Sequence, residues 1–190
     1  MGYVIGIDGG GTKTLLKIAD RNGKLLVVCQ GGPSNIYSSS LDTVKANIHQ
    51  LINDGLQQLN IDINSLDCVC MGTAGAGRED EQNLLKKLLR EVGISCNIII
   101  TDDAITALYG ALGKGEGIIL ISGTGSICYG RKDDGTIYRS GGWGHIIGDE
   151  GSGYDIGRCI LTKVMRSYDG RDNKTILTTL ALDTLGLKTP

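Results

Sequence analysis

The sequence contains no phenylalanine, only two prolines and a single tryptophan among its 190 residues. It also lacks a surplus of basic residues, since 19 lysines and arginines stand against 21 acidic residues and the formal net charge is −2. A chain with this balance offers no basic face to nucleic acid or to an anionic membrane surface. The composition therefore argues against partners of both kinds.

No apolar run approaches the ~20 residues that a membrane-spanning helix needs. The amino terminus, MGYVIGIDGGGT, lacks the basic segment, apolar stretch and cleavage site of a signal peptide. A cytoplasmic location is therefore expected. The six cysteines include no CxxC pair, and several lie in apolar runs. This favours reduced, buried thiols over the alternative of an iron–sulfur cluster shared across a dimer.

Strands and helices are predicted from the spacing of the apolar residues. Three strands come first, the second and third joined by an Asn22-Gly23 turn, and helices then alternate with strands. This order predicts an α/β fold with a mixed sheet covered by helices. The predicted strands are Tyr3–Asp8, Lys13–Asp20, Leu25–Gln30, Leu66–Met71 and Asn97–Thr101, and the predicted helices are Asp42–Leu59, Asp80–Val92 and Ala104–Leu112.

The opening unit of strand, glycine loop and hairpin occurs a second time. Gly123 follows Gly11 by 112 residues, and the Asp134-Gly135 turn follows Asn22-Gly23 by the same 112. The shared offset predicts a duplicated domain, with residues 1–115 as the first copy and residues 116–190 as the second. A full second copy would reach roughly residue 225, so the second copy is expected to be incomplete and the chain to be a fragment. Its predicted elements are the strands Gly117–Ser122, Ser126–Arg131 and Thr136–Arg139 and the helices Ser152–Tyr168 and Asn173–Leu185.

Two glycine-rich loops occupy matching places in the repeat, DGGGTKT from Asp8 and SGTGS from Ser122. Consecutive glycines let backbone N–H groups approach an anion closely, and the Thr12 hydroxyl adds a donor. The carboxylate of Asp8 suits Mg²⁺. Neither a Walker A motif nor a dinucleotide fingerprint is present, and a plain glycine-rich hairpin is the alternative. Two such loops, one on each copy, are predicted to hold a polyphosphate from both sides.

Two glycine-rich hairpins on duplicated halves resemble the superfamily of sugar kinases, actin and heat-shock chaperone ATPases. The second of these loops and three further strings resemble the N-acetylglucosamine kinases, which share a domain family with the BadF/BadG ATPases. The resemblance implies duplicated ribonuclease H-like ATPase domains, each a mixed five-stranded sheet with helices. The resemblance covers residues 1–190. The four strings are GTAGAG at Gly72–Gly77, TDDA at Thr101–Ala104, SGTGS at Ser122–Ser126 and GGWGHIIGDEGSGY at Gly141–Tyr154, and the last of them is the most specific.

The resemblance implies roles for particular residues. Asp103 falls where the family has its catalytic base, because a carboxylate there can accept the proton of a sugar hydroxyl. Asp102 is a rival for this role, and the two acids could instead form a helix cap. ATP phosphates are implied to bind the residues of the two loops: Gly9, Gly10, Gly11, Thr12, Lys13, Gly123, Thr124, Gly125 and Ser126.

The sugar pocket is implied by the same resemblance. Ser34-Asn35 is similar to the sugar-contacting pair of the family, since an asparagine amide binds two hydroxyls at once. Trp143 is implied to pack its indole on the sugar ring, whereas a lone tryptophan is otherwise more often a core residue. Glu150 is a further candidate for sugar hydroxyls, and His145 either holds its loop in shape or is an exposed polar residue. The other implied sugar-binding residues are Ala74, Gly75, Asp103, Gly142 and Asp149.

Three functions remain open at this point. The first is a kinase that uses ATP and Mg²⁺ to phosphorylate an amino sugar of the N-acetylglucosamine type, which the resemblance implies at the 6-hydroxyl, or N-acetylmuramic acid. The second is an ATPase that activates a dehydratase by electron transfer, with Cys128 and Cys159 as cluster ligands. The third is a non-catalytic sugar sensor or a chaperone-like binder. A homodimer stays open as an assembly.

Overall fold

The structure is a computed structural model that describes residues 2–73 and 75–190. The chain divides into two compact units, one that ends at Gly113 and one that spans Lys114–Pro190. Each unit has its own sheet. They are described separately.

The sheet of the first unit has five strands in the order β3-β2-β1-β4-β5. The first three strands run antiparallel as a meander, and β4 and β5 then add in parallel to β1. Parallel neighbours require a crossover, which the intervening helices provide. The strands are β1 (Tyr3–Gly9), β2 (Thr14–Asp20), β3 (Leu25–Gly31), β4 (Leu66–Thr73) and β5 (Asn97–Thr101).

Three helices cover this sheet: α1 (Leu41–Leu59), α2 (Glu79–Glu91) and α3 (Asp103–Leu112). The apolar residues of α1 recur at helical spacing, and Val44, Ile48, Leu51 and Ile52 are all buried against the sheet with Leu16 and Ile18 of β2. The side chains of α2 that join this core are Leu85, Leu88 and Leu89.

Helix α3 packs on the opposite face of the sheet. Side chains alternate along a strand, so Gly72 points away from the core residue Met71. A Cβ placed on Gly72 would lie 2.4 Å from the side chain of Thr106, which belongs to α3. The glycine therefore lets α3 approach β4 closely and brings the start of this helix to the end of the strand.

The second unit has a three-stranded antiparallel sheet of β6 (Gly117–Ser122), β7 (Ser126–Arg131) and β8 (Ile137–Gly141). Helices α4 (Gly153–Tyr168) and α5 (Ile176–Leu185) follow and contact each other. Ser152 caps the N-terminus of α4, because its hydroxyl accepts a hydrogen bond from the N–H of Asp155 at 3.1 Å.

The hairpin turns of the two units repeat the same backbone hydrogen bonds 112 residues apart. The N–H of Gly23 donates to Asp20 O at 3.0 Å, and the N–H of Gly135 donates to Lys132 O at 3.0 Å. Both glycines have a positive φ, 80° and 82°. The strand pair next to the turn is also equivalent, with Ala19 opposite Leu25 and Arg131 opposite Ile137. The repeat predicted from the sequence thus has a structural counterpart at these turns.

Candidate functional site

The carboxyl ends of β1, β4 and β5 meet at one edge of the first sheet. Gly9 lies opposite Thr73, and Gly72 lies opposite Thr101. The loops that leave these strands are therefore neighbours. In open α/β sheets this edge is where ligands bind, and most site residues predicted in the first unit lie on these loops or on the adjoining loop after β3.

The first glycine loop, residues 9–13, is closed by backbone hydrogen bonds. The N–H of Gly10 donates to Lys13 O at 3.0 Å, and Gly10 O accepts from the N–H of Ser34 at 3.0 Å. Gly11, Thr12 and Lys13 are exposed at the tip of the loop. The loop thus presents its backbone to solvent, as a phosphate-binding loop must.

Buried hydroxyl groups hold this loop in place from below. The Thr73 hydroxyl donates to Gly9 O at 2.9 Å, and the Thr14 hydroxyl donates to Gly32 O at 2.7 Å and lies 2.8 Å from Ser34 Oγ. Ser34 is 0% exposed. The Ser34 side chain is therefore part of the loop's support, and its contact with the sugar together with Asn35 stays a prediction.

The two adjacent acids at the end of β5 take different positions. Asp102 is the cap of α3, and its Oδ1 accepts from the N–H of Ala104 at 2.9 Å. Asp103 is the first residue of the helix and is exposed, although its Oδ1 also accepts from the N–H of Ala104 at 2.8 Å. Partial desolvation of its carboxylate, followed by the negative charge of Asp102, raises the pKa of Asp103. A raised pKa and an exposed carboxylate are features of a general base.

Asn35 lies on the loop after β3, beside the loop after β4. Its side-chain oxygen accepts from the N–H of Tyr37 at 2.8 Å. Gly75 has a φ of 89°, and a Cβ there would lie 2.7 Å from the Tyr37 ring. The hydroxyl of Tyr37 donates to the carboxylate of Glu81. Sequence reasoning missed Tyr37 and Glu81, and the predicted residue Ala74 lies outside the described residues.

In the second unit, the second glycine loop (residues 123–125) is attached to the start of α4. The N–H of Gly153 donates to Gly123 O at 2.8 Å, and the N–H of Tyr154 donates to Thr124 O at 3.4 Å. The hydroxyl of Ser126 donates to Glu150 O at 2.8 Å. The proton of Ser126, predicted to serve phosphate, is thus directed to the backbone of residues 141–154, which we call the tryptophan loop.

Asp149 in the tryptophan loop lies against the second glycine loop. A Cβ on Gly125 would be 2.8 Å from Asp149 Oδ2, so a larger residue there would require this carboxylate to shift. Asp149 is one of two residues other than glycine with a positive φ, 61°, in the described part of the chain. Such a backbone costs on the order of 1 kcal/mol, and residues of this kind cluster at functional sites as well as in turns and helix caps.

Trp143 is 67% exposed and is not a core residue. The guanidinium of Arg139 lies 4.6 Å from its ring centroid. Gly142 before it has a φ of 70° and approaches the Ile127 side chain too closely for a Cβ. The His145 ring packs on Tyr154 with centroids 4.6 Å apart, which supports the interpretation that His145 holds the loop in shape.

Asp8 is the penultimate residue of β1, and its side chain is exposed next to the first glycine loop. Within residues 2–73 and 75–190, no group of three or more histidine, cysteine or acidic side chains could enclose a metal ion. A single exposed carboxylate such as Asp8 is a donor that suits Mg²⁺, which keeps several waters and binds through one or two carboxylates together with phosphates. In the same described ranges, no helix is long and apolar enough to cross a membrane.

The fold of this chain is that of the sugar kinases and actin-like ATPases. The crystal structure of a candidate N-acetylglucosamine kinase from Chromobacterium violaceum matches 98% of this chain and 65% of its own with a TM-score of 0.74 and 28% identity. The fold class predicted from the sequence is thereby confirmed. The model of the BadF/BadG/BcrA/BcrD ATPase family matches residues 5–183, and the chain belongs to this family.

Two curated relatives cover nearly the whole chain. The N-acetylmuramic acid/N-acetylglucosamine kinase of Clostridium acetobutylicum is 50% identical over 188 residues, which are 99% of this chain and 61% of that protein. The N-acetyl-D-glucosamine kinase of Dictyostelium discoideum is 40% identical over 192 residues, 96% of this chain and 60% of that protein. The chain therefore spans about three fifths of the length of these relatives.

Proposed function

We propose that this protein transfers the γ-phosphoryl group of ATP to a hydroxyl of an N-acylated hexosamine, with the 6-hydroxyl as the acceptor. The observation that carries the proposal is the exposed Asp103 carboxylate at the head of α3, on the same sheet edge as the first glycine loop and Asn35. The names of the relatives from Clostridium acetobutylicum and Dictyostelium discoideum support the same substrate class.

In this proposal each candidate site residue has a defined contact with the sugar, the phosphates or Mg²⁺. Asp103 accepts the proton of the attacking hydroxyl, and Asn35 donates to a neighbouring hydroxyl and fixes the orientation of the sugar. Trp143 and Asp149 contribute an apolar ring face and a hydroxyl acceptor. The backbone N–H groups of the two glycine loops donate to phosphate oxygens. Asp8 would hold Mg²⁺, which neutralises charge on the phosphates when bound.

The proposed substrate class can be tested with a panel of sugars and Mg-ATP. Phosphate transfer is expected with N-acetylglucosamine and N-acetylmuramic acid, and values of kcat/KM for glucose and fructose are expected to be at least about 10²-fold lower, because a site built for an amide rejects analogues that lack it. Product mass and NMR of the phosphorylated carbon would identify the acceptor hydroxyl. Equal turnover of glucose would contradict the substrate class, and a product phosphorylated elsewhere would contradict the 6-hydroxyl.

N-acetylmuramic acid is the second candidate substrate, because the 50% identical relative carries both sugars in its name. The alternative of an electron-transferring ATPase has less support. Cys128 is half-buried in β7, and the Cys159 thiol lies 3.8 Å from Asp155 Oδ1. The visible absorption of an iron–sulfur cluster in anaerobically purified protein would favour that alternative.

Tryptophan fluorescence offers a direct test of sugar binding. Trp143 is the sequence's only tryptophan and is solvent-exposed, so a sugar that packs on its ring will change both its intensity and its emission maximum. A saturable change is expected with N-acetylglucosamine and essentially none with ATP alone. Glucose is the matched control ligand. A response to ATP equal to that to the sugar would contradict the assignment of Trp143 to the sugar.

A further inference from the structure

Tyr37 joins the two loops that carry Asn35 and Gly75. It lies on the loop after β3, and both of its partners lie on the segment that leads from β4 into α2. The ring of Tyr37 packs on Gly75, and its hydroxyl donates a hydrogen bond to Glu81. The residue therefore links chain segments more than thirty positions apart in sequence.

The ring of Tyr37 packs directly on the backbone of Gly75. A Cβ at Gly75 would come within 2.7 Å of Cδ2 and 2.8 Å of Cε2 of the ring. Gly75 also has a φ of 89°, which L side chains rarely adopt. Residue 75 must therefore be glycine both for its conformation and for this contact.

The hydroxyl of Tyr37 donates to a carboxylate that is itself fixed. Glu81 lies in the first turn of α2, where its other carboxylate oxygen accepts a capping hydrogen bond from the N–H of Arg78 at 2.8 Å. The hydrogen bond from Tyr37 is the main cause that lowers the pKa of Glu81, and the same bond raises the pKa of Tyr37. The pair thus consists of a neutral donor and a charged acceptor, the stronger kind of hydrogen bond.

The backbone of Tyr37 determines which atoms of Asn35 remain for a ligand. Its N–H donates to Asn35 Oδ1 at 2.8 Å. An asparagine amide has one oxygen acceptor and two N–H donors. With the oxygen engaged inside the loop, the NH₂ group is the part of Asn35 that serves as a donor to a sugar hydroxyl.

These contacts are not needed to build the core. Tyr37 is 66% exposed, and neither it nor Glu81 belongs to the buried cluster beneath the sheet. We propose that Tyr37 is a positioning residue of the sugar site: its hydrogen bond to Glu81 fixes the loop after β3 on the loop after β4 and holds Asn35 with its NH₂ group towards the sugar. This inference rests on the proposed function.

The test is steady-state kinetics of Tyr37→Phe, which keeps the ring on Gly75 and removes only the hydroxyl. The KM for N-acetylglucosamine is expected to rise about 5- to 20-fold, the fold-change that corresponds to one charge-assisted hydrogen bond. The kcat, the KM for ATP and the unfolding midpoint are expected to change little. Tyr168→Phe, the same change at a tyrosine that is 68% exposed, is the matched control.

Two further variants separate positioning from a merely structural role. Glu81→Gln keeps the side-chain shape but only one of the two oxygen acceptors and no charge, so it should raise the KM less than Glu81→Ala, which should raise it as Tyr37→Phe does. In an Asn35→Ala background, Tyr37→Phe should add no further increase in KM, since the lost contact acts through Asn35. Additive effects, or equal losses for sugar and ATP, would overturn the inference.

The outcomes also distinguish this inference from the proposed function. Sugar-dependent turnover in the wild type with an unchanged KM in Tyr37→Phe would overturn the role of Tyr37 alone. Absence of turnover in the wild type with any N-acylated hexosamine would overturn both.

Discussion

Asp103→Asn is expected to lower kcat by about 10²–10⁴-fold while sugar affinity changes little, because a positioned general base is worth about that much. Asparagine has the same shape and can keep the hydrogen bond from the N–H of Ala104. Single-turnover and steady-state kinetics with N-acetylglucosamine would measure the effect. Asp102→Asn is the matched control, and it should cost far less because asparagine also caps helices well. Equal losses from both substitutions would contradict the assignment.

The same variant has a defined effect on stability. Folding raises the pKa of Asp103 above its ordinary value of 3.8. The wild type therefore loses stability as the pH rises from 3.8 through the raised pKa, and below 3.8 this loss is absent. Asp103→Asn should therefore unfold at a slightly higher temperature than the wild type at neutral pH, and the difference should vanish in acid. A lower unfolding temperature at neutral pH would show that the activity loss reflects damage to the fold.

Gly9→Ala is expected to destabilise the protein by about 1–3 kcal/mol through overpacking and to lower kcat/KM for ATP by at least about tenfold. The new Cβ would lie 2.6 Å from Ser34 Oγ and 2.8 Å from Thr73 Oγ1. Both side chains are buried and hydrogen-bonded, so neither can move away cheaply. The displaced strand end would carry the first glycine loop with it.

Gly6→Ala is the control for this prediction. Gly6 lies on the same strand, and a Cβ there would meet nothing within 4 Å. Denaturant unfolding and ATP kinetics of the two variants should therefore differ clearly, with Gly6→Ala close to the wild type. Similar losses in both would show that strand flexibility, and not the contact with Ser34 and Thr73, explains the effect.

Much of the fold could be predicted because turn residues delimit its strands. The boundaries of β5, β6 and β7 agree with the sequence prediction, since glycine, aspartate or asparagine follows or precedes each apolar run. The short 3-10 helix at Ile63–Ser65 was not predicted, because its single turn is too short to show a periodicity. Helix α3 begins one residue earlier than predicted, at Asp103, because Asp102 takes the cap position.

The sequence predicted most residues of the candidate site, but not which of their side chains contact one another. Ser34 is adjacent to Asn35, yet their side chains differ in burial because Ser34 bonds beneath the loop. The pairs Tyr37–Glu81 and Gly125–Asp149 join residues far apart in sequence, and no periodicity encodes such contacts. The roles of the site residues remain predictions that the proposed variants test.

The attachment of the second glycine loop to the tryptophan loop has a thermodynamic consequence. Three hydrogen bonds join these two segments into one element: the N–H of Gly153 donates to Gly123 O, the Ser122 hydroxyl donates to Gly151 O and the Ser126 hydroxyl donates to Glu150 O. A ligand that shifts either segment must shift the other. In the proposed function nucleotide and sugar both contact this element, so their binding would be linked by one coupling free energy, and each substrate would change the affinity for the other by the same factor.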